Sequence, residues 1–135
     1  MKIVLDTNCL LPAVFPHSMY HWIWKCFRNN SFTLCYTNEI IAEYEELLSK
    51  HYTPEMTENT MLLLLTSRNV EKVIPYFKLN LITADPDDNK FVDCAFNGDA
   101  NYIVTNDRHF NVLKSIDFPP INVINIETFK RILML

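Results

Sequence analysis

Glycine is almost missing from this chain, with one residue, Gly98, in 135. Loops that cradle phosphates need several glycines in a fixed pattern, so P-loop and dinucleotide-binding fingerprints are excluded. The cysteines lack any useful arrangement. Cys9, Cys26, Cys35 and Cys94 form no CxxC pair and no Cys/His cluster with zinc-finger spacing. They read as free, partly buried thiols of a reducing compartment, and a cytoplasmic location is expected. Long apolar runs are absent too. The longest, Met61 to Leu65, is far too short to span a bilayer. The N-terminus does not read as a signal peptide, because Asp6 and Asn8 interrupt its apolar run. Positive charge is not in excess: 12 Lys and Arg stand against 16 Asp and Glu, a formal net charge of −4. That argues against a protein that coats nucleic acid through a basic surface. It leaves room for an enzyme that touches a few phosphates beside a bound metal ion.

What the chain has is apolar bulk. Hydrophobic residues make up 49% of it, with 9 Phe, 6 Tyr and 2 Trp. That is enough to fill one core, and the length fits one domain, residues 1–135. Ile3, Val4 and Leu5 predict a short buried strand. Pro12 and Pro16 then break the chain. A helix is expected over His17 to Asn29, with Met19, Trp22, Ile23, Cys26 and Phe27 on one face. His17 and His21 lie four apart on it and read as surface or packing residues, because no third ligand is near. Phe32 to Tyr36 predicts a second strand, and Thr37 the N-cap of a helix over Asn38 to Lys50. Glu55 to Ser67 predicts a further helix, its Met61 to Leu65 run expected to be largely buried. Val70 to Tyr76 reads as a short strand or extended segment ended by Pro75, Asp88 to Phe96 as a helix with Gly98 as its C-cap, and Tyr102 to Thr105 as a strand. A short helical turn over Arg108 to Lys114, a strand over Ile121 to Ile124 and a helix over Glu127 to Leu133 complete the series. Strands alternating with helices predict an α/β fold, a parallel sheet with helices on both faces and right-handed crossovers.

Two strand ends carry similar punctuation. Leu5 leads into Asp6-Thr7-Asn8, and Val104 into Thr105-Asn106-Asp107. Ligands of parallel α/β sheets sit at such ends. Asp6 alone has two readings: a helix N-cap or a metal-binding, catalytic carboxylate. On the helix after Thr37, at about 100° per residue, Glu43 lies about 40° from Leu47 and about 60° from Ile40, at the border of the apolar stripe. A border acid of this kind turns into a cleft or stays solvated. Asp6, Glu43, Asp88 and Asp107 are thus candidates to converge above the carboxyl edge of one sheet. Four carboxylates together need compensating charge. Mg²⁺ or Mn²⁺ suits their hard oxygens and is able to activate water against a phosphodiester.

These pieces resemble a PIN domain of the kind found as the toxin of bacterial and archaeal toxin–antitoxin pairs. The matching stretches are Val4-Leu5-Asp6-Thr7-Asn8, then Glu43, then Asp85-Pro86-Asp87-Asp88-Asn89-Lys90-Phe91 leading to Ala95. The last is Tyr102-Ile103-Val104-Thr105-Asn106-Asp107 with His109-Phe110 behind it. Each is short, but their order spans nearly the whole chain. The resemblance implies a three-layer α/β/α fold around a parallel sheet and metal-dependent hydrolysis of RNA. It implies Asp6, Glu43, Asp88 and Asp107 as the acidic site binding Mg²⁺ or Mn²⁺. Asp93 would be an accessory acid, and Asn8 and Thr105 polar groups supporting the ligands. It also implies an RNA substrate and an antitoxin partner occupying the site groove. Lys90 and Arg108 are nearby cations for phosphate contacts, though each by itself reads as a solvated surface charge. The helices around Met56 to Leu65 read as core, or else as a surface for a partner or for a homodimer.

Two other classes compete. One is a catalytically silent PIN-like binding or regulatory module, against which the presence of all four acids argues. The other is a phosphotransferase built on an Asp after the first strand. Haloacid-dehalogenase-like enzymes need a second Asp where this chain has Asn8, and receiver domains need a Lys where Asn106-Asp107 stands.

Overall fold

In the computed structural model, described here over residues 1–133, the strands are β1 (Lys2–Leu5), β2 (Thr33–Tyr36), β3 (Val70–Lys72), β4 (Tyr102–Val104) and β5 (Val123–Ile124). They form one parallel sheet in the order β3-β2-β1-β4-β5. Ile3, Val4 and Leu5 are all buried, so both faces of β1 are covered. That is why an unbroken aliphatic run, not an alternating one, makes this strand. The covering helices are α1 (Thr7–Val14), α2 (His21–Arg28), α3 (Asn38–His51), α4 (Pro54–Thr66), α5 (Asn89–Asn97) and α6 (Ile126–Ile132). The predicted three-layer α/β/α architecture is present. Its core is centred on Ile3, Leu5, Leu34, Ile40, Tyr44, Leu48, Phe91, Ile103, Phe110 and Phe129.

The chain adds β2 and β3 outward on one side of β1 and β4 and β5 on the other. The order reverses between β1 and β4, and the crevice beyond the carboxyl ends at such a reversal is where open parallel sheets bind ligands. Leu5 pairs with Val104, so the two strands end level. The Asp6 amide donates to Val104 O at 3.1 Å.

The structure differs from sequence expectation in several places. The chain after β1 is not broken at Pro12: α1 runs through it. Pro12 is the sixth residue, past the first four amides that have no intrahelical acceptor, so it forfeits one bond, the one Asn8 O would accept. The far end is held from outside, with Tyr52 Oη donating to Leu11 O at 2.6 Å and His21 Nδ1 lying 2.8 Å from Ala13 O. Helix α2 begins at His21, not His17, and leaves Met19 exposed ahead of it. The run in α4 is not largely buried: Met61 and Leu64 face the core beside Thr57 and Thr60, while Leu62, Leu63 and Leu65 are exposed. Strands β3 and β5 are shorter than their apolar stretches. Gly98 does cap α5, but with φ −92°. The left-handed residue is Asp99, at φ 52°. Gly98 is required for space: a Cβ there would meet Val73 Cγ2 at 2.7 Å and Cys94 O at 2.9 Å. All four cysteines are free and buried. No described helix is long and apolar enough to cross a membrane.

Candidate active site

Asp6 and Asp107 leave adjacent strands and are joined through Thr105. The Thr105 hydroxyl donates to Asp6 Oδ2 at 2.7 Å and accepts the Asp107 amide at 3.0 Å. Both acids also cap helices. Asp6 Oδ1 accepts the Asn8 amide at 3.3 Å at the start of α1. Asp107 Oδ1 accepts the His109 amide at 2.9 Å at the start of a 3-10 helix, Arg108–Ser115. The two readings of Asp6 are therefore not exclusive, because capping holds the carboxylate at the strand end. Asp6 is 4% exposed. Burial pushes its carboxyl up, the bonds from Thr105 and Asn8 pull it down, and the charges of Asp107 and Glu43 push it up again, with a net rise.

Asp88 reaches the same crevice from the 3-10 turn Pro86–Asp88 that precedes α5. Its Oδ2 is buried and has no hydrogen-bond partner. Burial first, then the charges of Asp85, Asp107 and Asp6, push its carboxyl up to about 7, against a lowering from His109. His109 Nδ1 lies 3.5 Å from Asp107 Oδ1, 3.8 Å from Asp88 Oδ2 and 4.0 Å from Asp85 Oδ2. Asp85, Asp88 and His109 offer donor atoms that all fall within 4.8 Å of one another.

Glu43 is at the border of the α3 stripe, as its spacing predicts, but it is already engaged. The Thr7 hydroxyl donates to its Oε2, and Lys90 Nζ lies 2.9 Å from its Oε1. Lys90 also meets Asp87 at 3.0 Å. Its side chain is 8% exposed, so it is not the solvated charge expected from sequence. Burial lowers the Lys90 ammonium, but the bonds to Glu43 and Asp87 outweigh that and hold it above its ordinary value. Replacing Lys90 with Ala strands a half-buried carboxylate. The expected loss is about 1–3 kcal/mol of unfolding free energy by urea titration; a loss under about 0.5 kcal/mol would mark an ordinary surface pair.

The remaining candidates separate. Asn8 contributes its backbone amide to Asp6, and its side chain is exposed. Asp93 is not brought to the crevice cluster: its Oδ1 accepts the Leu79 amide at 3.0 Å. Asn89, Asp93 and Asn97, four residues apart on α5, together tie down the backbone of Phe77, Leu79 and Ile82. Sequence reasoning did not assign Thr7, Asp85, Asp87 or His109 to the cluster. The Asp87–Lys90 spacing at a helix start and the placement of His109 two residues after Asp107 are the signals that point to them.

The charge of Asp107 thus raises the affinity of Asp6 and Asp88 for a positive partner, a proton or a cation, and Asp6 does the same for Asp88. They stand at the switch point of the sheet, opposite a Glu43 that Lys90 neutralises. Beside Asp107 a cleft of about 480 Å³ opens between the 3-10 helix and the start of α6.

The PIN-domain family model matches residues 2–109. No curated protein matches the chain. Among solved structures it is similar to VapBC2 from Rickettsia felis, bound to a DNA fragment from its promoter. The identity is 19%, the TM-score 0.62, and the match covers 93% of this chain and 98% of that one. It is also similar to Mycobacterium tuberculosis VapC20, described as a Sarcin-Ricin loop cleaving toxin. There the identity is 12%, the TM-score 0.59, and the coverage 89% and 98%. At these identities the likeness is one of fold. With four-fifths of its length matched by the family model, the chain belongs to the PIN-domain family.

Proposed function

We propose that this protein is a divalent-metal-dependent endoribonuclease that hydrolyses RNA phosphodiester bonds and acts as the toxin of a toxin–antitoxin pair in the cytoplasm. The observation that carries the reading is Asp88 Oδ2, a buried carboxylate oxygen without a partner beside two further acids. A buried polar atom of this kind is costly unless something binds it. The donor set fits a hard cation: carboxylates of Asp6, Asp88 and Asp107, with Asp85 and His109 at the rim. Mg²⁺ or Mn²⁺ held there would polarise the phosphodiester and make a bound water acidic.

The chain's own residues do the rest. Thr105 fixes the rotamer of Asp6 and the backbone of Asp107 together, so two ligands move as one unit. Thr7 and Lys90 immobilise Glu43. The ammonium neutralises the fourth acid, which leaves a three-carboxylate corner suited to a single ion. The net reaction adds water across one P–O bond, giving a phosphate monoester on one fragment and a hydroxyl on the other.

Two likenesses support the biological part. VapC20 is described as a Sarcin-Ricin loop cleaving toxin, and VapBC2 as bound to a DNA fragment from their promoter. An antitoxin protein is the proposed partner. Leu62, Leu63 and Leu65 of α4 are apolar surface for it, or for a second copy of the chain, to cover.

The test is incubation of a pooled RNA set with the protein and Mn²⁺ or Mg²⁺, with EDTA as the control. Internal cuts that appear with the ion and vanish with EDTA are expected. No cutting under any divalent ion would leave the silent binding module as the reading.

A further inference from the structure

The cleft beside Asp107 is built by an unusual element. The segment Arg108–Ser115 is a 3-10 helix, in which residues three apart eclipse one another. Phe110 and Leu113 are one such pair, and both are buried. Arg108, Asn111 and Lys114 are the next row, and all three are exposed and line the cleft. At a rise of about 2.0 Å per residue the row runs about 12 Å away from Asp107, enough to pass more than one phosphate of a strand. Neither Arg108 nor Lys114 has a carboxylate within 4.0 Å among the described residues. In a chain of net charge −4, Arg108 and Lys114 are two unpaired cations on the cleft that opens beside Asp107, free to meet an anion. Lys90 is not such a place, since Glu43 and Asp87 occupy it.

The opposite wall carries Asn125 and Thr128. Asn125 Oδ1 accepts the Thr128 amide at 2.7 Å, which leaves its Nδ2 to donate into the cleft. Among the described residues no aromatic ring lines the space, so a base there is met by amides, not by aromatic stacking. The volume of about 480 Å³ admits a nucleotide unit and not a duplex.

Taking the ribonuclease reading as given, we infer that this cleft is the track for the RNA strand flanking the cut, with Arg108 and Lys114 on successive phosphates and Asn111 and Asn125 at the base. The strand is single at this point and passes directly from the 3-10 ladder onto Asp107.

The experiment measures binding of a fluorescent single-stranded RNA by anisotropy between 50 and 200 mM salt, in the non-cleaving Asp6→Asn chain. Each lost phosphate contact flattens the slope of log affinity against log salt by about 0.7 for single strands. Arg108→Gln with Lys114→Gln is expected to flatten it by about 1.4, and Asn111→Ala to weaken binding without changing the slope. Lys25→Gln with Arg28→Gln, an equal charge change at the end of α2, is the control and leaves the slope as it was. A slope unmoved by the cleft pair, or flattened equally by the control, overturns the track. If the unaltered protein still cuts RNA in that case, the ribonuclease reading stands. If it neither binds nor cuts RNA, both fall.

Discussion

On the proposed reading, Asp6→Asn is expected to lower metal-dependent RNA cleavage about 1,000-fold or more while the fold survives, because it would take one carboxylate from the ion and several kcal/mol from transition-state stabilisation. The fold survives because Asn caps helices as well as Asp does. An amide oxygen replaces Oδ1 as acceptor of the Asn8 amide, so α1 keeps its start. What is lost locally is the acceptor at Oδ2 for the Thr105 hydroxyl, a cost of about 1 kcal/mol. Asp6→Ala would remove the cap and the acceptor together, and its inactivity would say less. The measurement is single-turnover cleavage of one substrate RNA, with circular dichroism and urea unfolding of both chains. Residual activity within tenfold of the unaltered protein would remove Asp6 from the site.

How far the sequence reads to this point differs from part to part. Strand ends are legible because they are local: Ile3 to Leu5 and Ile103 to Val104 are short aliphatic runs, and the polar residues after them have to lie at the carboxyl edge of a parallel sheet. Asp6, Thr105 and Asp107 follow from that alone. Glu43 is legible as a border position through helical geometry. The partners of Glu43 are not. Thr7 and Lys90 stand 36 and 47 residues away from it, and only the packing of α3 against the start of α1 and of α5 brings them within bonding distance. For the same reason Lys90 reads as a surface charge in sequence and is a buried counter-ion in the fold.

Helix α1 is illegible for a related cause. Pro12 is a local breaker, and the groups that hold the helix end, Tyr52 and His21, belong to other elements. The apolar run in α4 shows the opposite failure. Met61 to Leu65 is hydrophobic on every side, so composition cannot tell which face is covered. The fold buries one stripe and leaves Leu62, Leu63 and Leu65 outside. In both cases local chemistry states what a segment tolerates, and tertiary contacts decide what it does.

Asp88 is where stability and function pull in opposite directions, and its variant is expected to gain one as it loses the other. Its carboxyl sits at about 7 in the fold, against an ordinary value of 3.8. A carboxyl whose folded value is raised binds its proton more tightly folded than unfolded. Its stabilising contribution is therefore complete below about pH 4 and is lost as pH rises through 7. Metal-free protein should melt at a lower temperature at pH 8 than at pH 6, and a saturating divalent ion should reverse that at pH 8 by binding the folded state. Asp88→Asn removes the charge and its penalty. Discounted for the partly open crevice, the gain at pH 8 without metal is about 2 kcal/mol, or roughly 5 °C in Tm. The variant should show little of the change between pH 6 and 8 and little response to the ion, and its cleavage should fall about 100-fold or more, as an amide is a poor ligand for a hard cation. Thermal melts of both chains at pH 6 and 8, with and without Mn²⁺, decide it. If the two chains melt together at pH 8 without metal, the buried oxygen of Asp88 carries no penalty and is not the position at which the fold awaits a cation.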